Sequence, residues 1–336
     1  MPLPFIPLVV AGAVAASTAV AGKKGYDSYK NIKETKELAE ELQRKYKNAY
    51  NAFENKKKST NKQFERYGKL KLDILNGTMT HFVTSFKQIK HVEFTNKAEM
   101  EYFVSNSDVD KLVVSIEKQV IKAKQVLTAG AASLAGGGLA AMGALGATTT
   151  FAAASTGTAI ASLSGIAAQN ATLAFLGGGS LATGGLGIAG GTMVLGGIAL
   201  APALALGSLI FAATTEKKLE EMYAKKAEVT TEVEKLKAAT AVLKKIEATT
   251  KKMVELAQSV ETLFVREIYK MNEIINAKGI DFRNYSTEEK ETILKNYKLA
   301  VITRDILNIN ILNEAGELAP NIQQVITAEK KKIEAL

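Results

Sequence analysis

The 336-residue chain has no cysteine and no tryptophan, and it has only two histidines and five prolines. The missing thiols exclude disulfides, cysteine-ligated zinc and cysteine nucleophiles. His81 and His91 are too few, and too far apart in sequence, to suggest a metal centre. Few prolines beside Lys/Glu-rich flanks favour long helices over sheets. The most consequential absence is charge. From Gln125 to Thr215 there is no Asp, Glu, Lys, Arg or His, a run of 91 residues that holds 19 of the 26 glycines. About 20 predominantly apolar residues suffice for one helical span. The run therefore has room for two to four spans, and the expectation is that it enters a membrane.

Charge elsewhere is uneven. The net charge is +9, and between Lys23 and Lys71 there are 15 basic residues against 7 acidic ones. From Glu216 onward the balance is 21 against 20. A basic arm beside an apolar run suits an anionic bilayer surface, at about 1 kcal/mol per well-placed cation. Nucleic acid ranks behind lipid, because no DNA- or RNA-binding motif accompanies the charge. A solvated helix face is the plain alternative. The residues assigned to lipid headgroups are Lys23, Lys24, Lys56, Lys57, Lys58, Lys122, Lys124, Lys217 and Lys218.

Five regions follow in order: an apolar N-terminal segment (1–22), a basic long-helix region (23–124), the uncharged run (125–215), a coiled-coil helix (216–279) and a C-terminal helical region (280–336). The first has no charged side chain, and Met1–Phe5 lacks the basic stretch that a secretory signal needs. It is expected to be an uncleaved anchor or a buried apolar plug. Pro2, Pro4 and Pro7 confine any helix to the residues after Pro7. That leaves ~22 Å of helix, short for a full span.

From Tyr26 to Ile89 apolar residues recur at steps of three and four: Ile32, Ala39, Leu42, Tyr46, Ala49, Phe53, then Phe64, Tyr67, Leu70 and Ile74. Such a length predicts a coiled coil or elongated bundle, with Gly77 as a stop or kink. His81–Ile89 reads as a further amphipathic helix, and 91–106 as a connection. A helix from Asp108 through Val113, Ile116, Val120 and Val126, with Ser107 and Asp110 at its cap, leads into the uncharged run. After it, Met222, Val229, Leu236, Leu243, Thr250, Ala257, Phe264 and Met271 lie seven apart, with Leu219, Val233, Val254 and Ile268 at the complementary spacing. This predicts one long heptad helix that ends near Gly279 and pairs with the 26–89 helix. Ser286 and Glu289 form a capping box for a helix to about Ile311. Pro320 marks the start of a last helix, down to Leu336.

Within the uncharged run, small residues repeat every four: Gly136, Ala140 and Ala144; Gly187 and Gly191; Ala203 and Gly207. Such rows let helix backbones approach closely in lipid, where apolar side chains alone give no drive to associate. The richest span is 192–213, with Thr192, Leu195, Ile198, Leu204, Leu209 and Ile210 assigned to the lipid and Pro202 as a kink. The rest is Ala/Gly/Ser/Thr-rich and only marginally lipophilic, which suits conditional insertion. Lysines at both ends put both ends on one side, so the spans are even in number. A hairpin with its turn in 165–185 is the simplest solution, and four short spans are the alternative. A helical pair inside a soluble core is the non-membrane reading.

Gly185-Leu-Gly-Ile-Ala-Gly190 matches GxGxxG, but no acidic residue follows before Glu216, so the dinucleotide reading fails. No GxxxxGK[ST], HExxH or GxSxG occurs. No enzyme, cofactor or metal is expected.

In layout the chain resembles the α-helical pore-forming toxins of the cytolysin A and haemolysin BL type, with long helices at 26–89 and 216–278 around a central apolar hairpin at 125–215. It is also similar to bacterial coiled-coil proteins with a Gly-rich apolar centre and to the apolipoprotein L layout. The resemblance implies membrane association and no individual site residue. The resulting expectation is an all-α protein, an elongated coiled-coil or helical bundle with a central Gly/Ala-rich hydrophobic hairpin. It is expected to be membrane-associated, to form homo-oligomers on an anionic bilayer, and to permeabilise that bilayer. A partner protein is left open. A membrane-associated scaffold or remodelling polymer without a pore is the alternative, and a soluble helical interaction module the third reading.

Overall fold

The computed structural model describes residues 23–94, 109–128, 216–313 and 317–336. The protein is all-α: 87% of these residues are helical, and among them there is no strand. The helices are α1 (Lys23–Ile74), α2 (Thr80–Phe86), α3 (Val109–Thr128), α4 (Glu216–Lys278), α5 (Thr287–Asn308) and α6 (Ile322–Glu334). A π-helical turn, Leu75–Met79, lies between α1 and α2. The chain divides into two compact units. Unit 1 comprises Met1–Lys58 with Ile198–Leu243, and unit 2 comprises Ser59–Gly197 with Lys244–Leu336.

In unit 1, α1 and α4 bury one stripe each. Leu38, Ala39 and Leu42 meet Met222, Val229 and Val233. Further along, Phe53 meets Leu236, Ala239 and Leu243. Outside this seam the helices are held by their own chemistry. α1 carries Lys33–Glu37 and Lys36–Glu40 pairs at 3.9 Å, each adding about 0.2–0.5 kcal/mol to a helix with no proline in it. The Tyr223 hydroxyl ties the two helices here, donating to Glu34 Oε1 at 2.7 Å.

In unit 2 the core is several helices thick. Phe64, Tyr67, Ile74 and Leu75 from α1 and the π turn join Phe82 and Phe86 of α2, Ile116 and Val120 of α3, and Val260, Phe264 and Met271 of α4. Rings interlock through it: Phe82 lies 5.4 Å from Phe264, and Tyr297 lies 6.0 Å from Phe86 and 5.5 Å from Phe94. α5 is enclosed. Leu299, Ala300, Val301 and Ile302 are all fully buried, and four consecutive residues cover every side of a helix.

Helix ends follow local chemistry. The Ser286 hydroxyl accepts from the Glu289 N–H at 3.2 Å, and Glu289 Oε2 accepts from the Ser286 N–H at 2.7 Å, the reciprocal capping box. α4 stops at Gly279, whose N–H still donates to the Ile275 carbonyl at 2.9 Å while its φ of +77° turns the chain out of the helix. Residues Lys90 and Asp281 then bridge in parallel. Lys90 donates to the Ile280 carbonyl at 2.7 Å and accepts from Phe282 at 3.1 Å.

Several boundaries differ from the sequence expectation. Gly77, expected as a stop or kink, sits in the π turn through which α1 passes into α2, with the Thr80 hydroxyl donating to the Leu75 carbonyl at 3.0 Å. α2 stops at Phe86, although Ile89 is still buried. α5 stops at Asn308, while Ile311 and Leu312 continue into the core as extended chain. In both cases apolar burial outlasts the helix. Of the expected cap of α3, Ser107 lies outside the described residues, while Asp110 sits in the first turn of the helix.

Candidate functional site

The described part of the chain that leads into the uncharged run is α3, and its two faces have different chemistry. Leu112, Val113, Ile116, Val120 and Ala123 are buried in the unit 2 core. At 100° per residue the opposite arc holds Lys111, Val114, Lys118, Ile121 and Lys122. All five are exposed, and Val114 and Ile121 keep 44% and 49% of their accessible surface. Lys124 is exposed further round.

Two acids share the outer surface, Asp110 and Glu117. Lys87 of the segment after α2 holds Glu117 with bonds of 2.8 and 3.0 Å, which offsets that negative charge. Gln119 turns inward to Asn308, 3.5 Å away. An open hollow of about 560 Å³ lies on this side, lined by Asp110, Lys111, Val114, Ser115, Lys118, Gln119 and Lys122. The arc is therefore cationic with an aliphatic centre.

The other sequence-derived lysines fall elsewhere. Lys58 is exposed on α1, and Lys57 lies 3.9 Å from Glu54. Lys23 and Lys24 belong to the first turn of α1, and Lys217 and Lys218 to the first turn of α4. The assigned packing residues Gly136, Ala140, Ala144, Gly187, Gly191, Ala203 and Gly207 lie outside the described residues. So do the assigned lipid-facing residues Thr192, Leu195, Ile198, Leu204, Leu209 and Ile210. Among the described residues no helix is long and apolar enough to cross a membrane, and no cluster of three potential metal ligands exists.

Two polar clusters were not singled out from sequence. Lys71 is fully buried, with its Nζ 4.5 Å from the centre of the Tyr67 ring. Burial alone pushes its pKa down to about 7 and pushes the Tyr67 phenol up, since desolvation penalises the charged form of each. The Tyr67 hydroxyl faces the Ile306 carbonyl at 3.4 Å. In the second cluster Arg283 grips Asp281 through Nε at 3.0 Å and Nη2 at 2.6 Å, and His91 Nδ1 lies 3.4 Å from the same carboxylate. The Arg283 contact holds the Asp281 carboxyl well below the ordinary range. His91 itself has φ of +59°. Both clusters support the fold: the first fills the core, and the second fastens the chain after α2 to the chain after α4.

No family model, curated protein or solved structure matches the chain.

Proposed function

We propose that this protein delivers its uncharged segment, 125–215, into a lipid bilayer as a helical hairpin, self-associates there and permeabilises the membrane. The observation that carries the reading is the run of 91 residues without a charge, entered directly from a helix whose outer arc is cationic. Nine-tenths of a hundred residues without charge is several times what one span needs. The Gly/Ala rows at four-residue spacing give hairpins a way to pack on one another in lipid. In this reading the helices on either side act as support, and the lysines that bracket the run keep both ends on one face of the bilayer.

The test is dye release from vesicles of mixed phosphatidylserine and phosphatidylcholine, together with protease protection of 125–215. Release with protection of the segment is expected. Vesicles that stay sealed while protein is bound remove the pore, and a segment that stays cleavable removes insertion itself.

A second reading has its own support. Met222, Val229, Leu236, Leu243, Thr250, Ala257, Phe264 and Met271 are all buried along α4, the seven-residue spacing of a coiled coil. We infer from this a scaffold or membrane-remodelling polymer, built on the paired stripes of α1 and α4, that inserts without opening a hole. Regular filaments or tubules on vesicles that do not leak are its signature.

A further inference from the structure

The arc of α3 has a property that neither a solvated surface nor a buried one requires. Its three lysines, Lys111, Lys118 and Lys122, enclose two half-exposed aliphatic side chains, Val114 and Ile121. From Lys111 to Lys122 the arc runs ~16 Å along the helix axis. The large apolar face of the same helix is already used, because Leu112, Ile116, Val120 and Ala123 lie in the unit 2 core. α3 is thus held with its cations outward and cannot roll its main apolar face toward a ligand.

We propose that this arc is a docking surface for an anionic lipid bilayer, with Lys111, Lys118 and Lys122 at the headgroup phosphates and Val114 and Ile121 set between them at the upper edge of the acyl region. The inference rests on the membrane reading above and adds to it the surface that makes first contact. Charge complementarity selects the lipid. Basic residues near an anionic leaflet each strengthen binding by about fivefold. Interfacial helices combine such cations with aliphatic side chains placed at the headgroup boundary. A nucleic-acid backbone matches the lysines but gives Val114 and Ile121 nothing apolar to enter. A bilayer accepts both. The arc is also continuous with the segment to be inserted, since α3 ends at Thr128, inside the uncharged run that begins at Gln125. Docking α3 holds the start of that run at the headgroup level.

The full-length chain gives a direct test, because it contains no tryptophan. Val114→Trp places a single indole in the arc. With phosphatidylserine-containing vesicles its emission is expected to shift to the blue, and with pure phosphatidylcholine it is expected to stay. The triple variant Lys111→Gln, Lys118→Gln, Lys122→Gln should keep its helical circular dichroism, since all three side chains are exposed. It should bind anionic vesicles roughly 100-fold more weakly at low salt. Unchanged vesicle affinity of the triple variant, or an indole emission that does not respond to bound vesicles, overturns the proposal. So does retention of duplex DNA by the wild type with no retention of vesicles.

The two readings fail separately. Protection of 125–215 from protease with an unaffected triple variant removes the docking surface and leaves insertion. A triple variant that loses vesicle binding, in a protein whose 125–215 stays cleavable on vesicles, keeps the docking surface and removes insertion.

Discussion

Units 1 and 2 are built from the same two long helices, yet they bury their side chains in different ways. In unit 1 the described core is a seam between α1 and α4, a single row of Leu38, Ala39, Leu42 and Phe53 against Met222, Val229, Val233, Leu236, Ala239 and Leu243. Solvent reaches both flanks of such a seam. In unit 2 the same helices gain α2, α3, α5 and α6 as cover, and interlocked rings replace the single row. The comparison teaches that a heptad stripe is enough to pair two helices, while a helix such as α5, buried on every side, needs layers around it. Local stability should follow. Amide hydrogens of α4 in 222–243 are expected to exchange faster than those in 253–271, because fewer apolar contacts resist opening. Equal protection in the two stretches breaks the comparison.

The largest effect is expected in the thick core. Phe264→Ala removes a fully buried ring that packs on Phe82, at a cost of about 3–5 kcal/mol in urea unfolding. The partner experiment in the thin core is Leu42→Ala, expected to cost only ~2 kcal/mol because an open seam collapses more easily around the gap. A loss at Leu42 as large as that at Phe264 means that unit 1 is packed as tightly as unit 2.

Lys71 sharpens the same point through charge. Its folded-state pKa is about 7 against an ordinary 10.5. Between those values the unfolded chain binds a proton that the folded chain does not. Stability therefore rises as pH is raised from about 7 to about 10.5, and the full penalty applies below pH 7. Lys71→Met should stabilise unit 2 by about 2–5 kcal/mol at neutral pH and flatten that rise. The readout is the urea midpoint at pH 7 and at pH 10. A variant less stable than wild type at pH 7 means that the polar surroundings of Lys71 outweigh the burial of its charge.

Smaller effects concern helix ends. Ser286→Ala breaks the capping box and should cost about 1 kcal/mol, read as a lower melting temperature. Two glycines should respond with opposite signs. Gly279→Ala forces a side chain to φ of +77° and should lose about 1 kcal/mol. Gly77→Ala meets open space in a helical turn and should gain up to about 1 kcal/mol. A gain at Gly279 removes the case for a left-handed stop to α4.

Several parts of this architecture were legible in the residues, and they share a cause. Ser286 and Glu289 exchange hydrogen bonds across three positions, Gly279 supplies its own backbone freedom, and the buried row from Met222 to Met271 repeats every seven residues. Each signal is complete within a stretch of one helix, so no distant element is needed to read it. The membrane proposal stands on a different footing. The 91-residue run is plain in the sequence, but the lysine and aliphatic arc of α3 is recognisable as a surface only once its other face is known to be buried.

The amino-acid order by itself determined where the long helices lie, the stop of α4 at Gly279, the capping box of α5 and which stripe each long helix presents, because helical hydrogen bonding and periodicity are local. The tertiary structure alone decided that Lys71 is fully buried, that α5 has no exposed side over 299–302, that His91 reaches the Arg283–Asp281 pair, and that Val114 and Ile121 face outward. Those outcomes depend on which elements come together, and the exclusion of water that buries Lys71 and residues 299–302 acts only when distant parts of the chain meet.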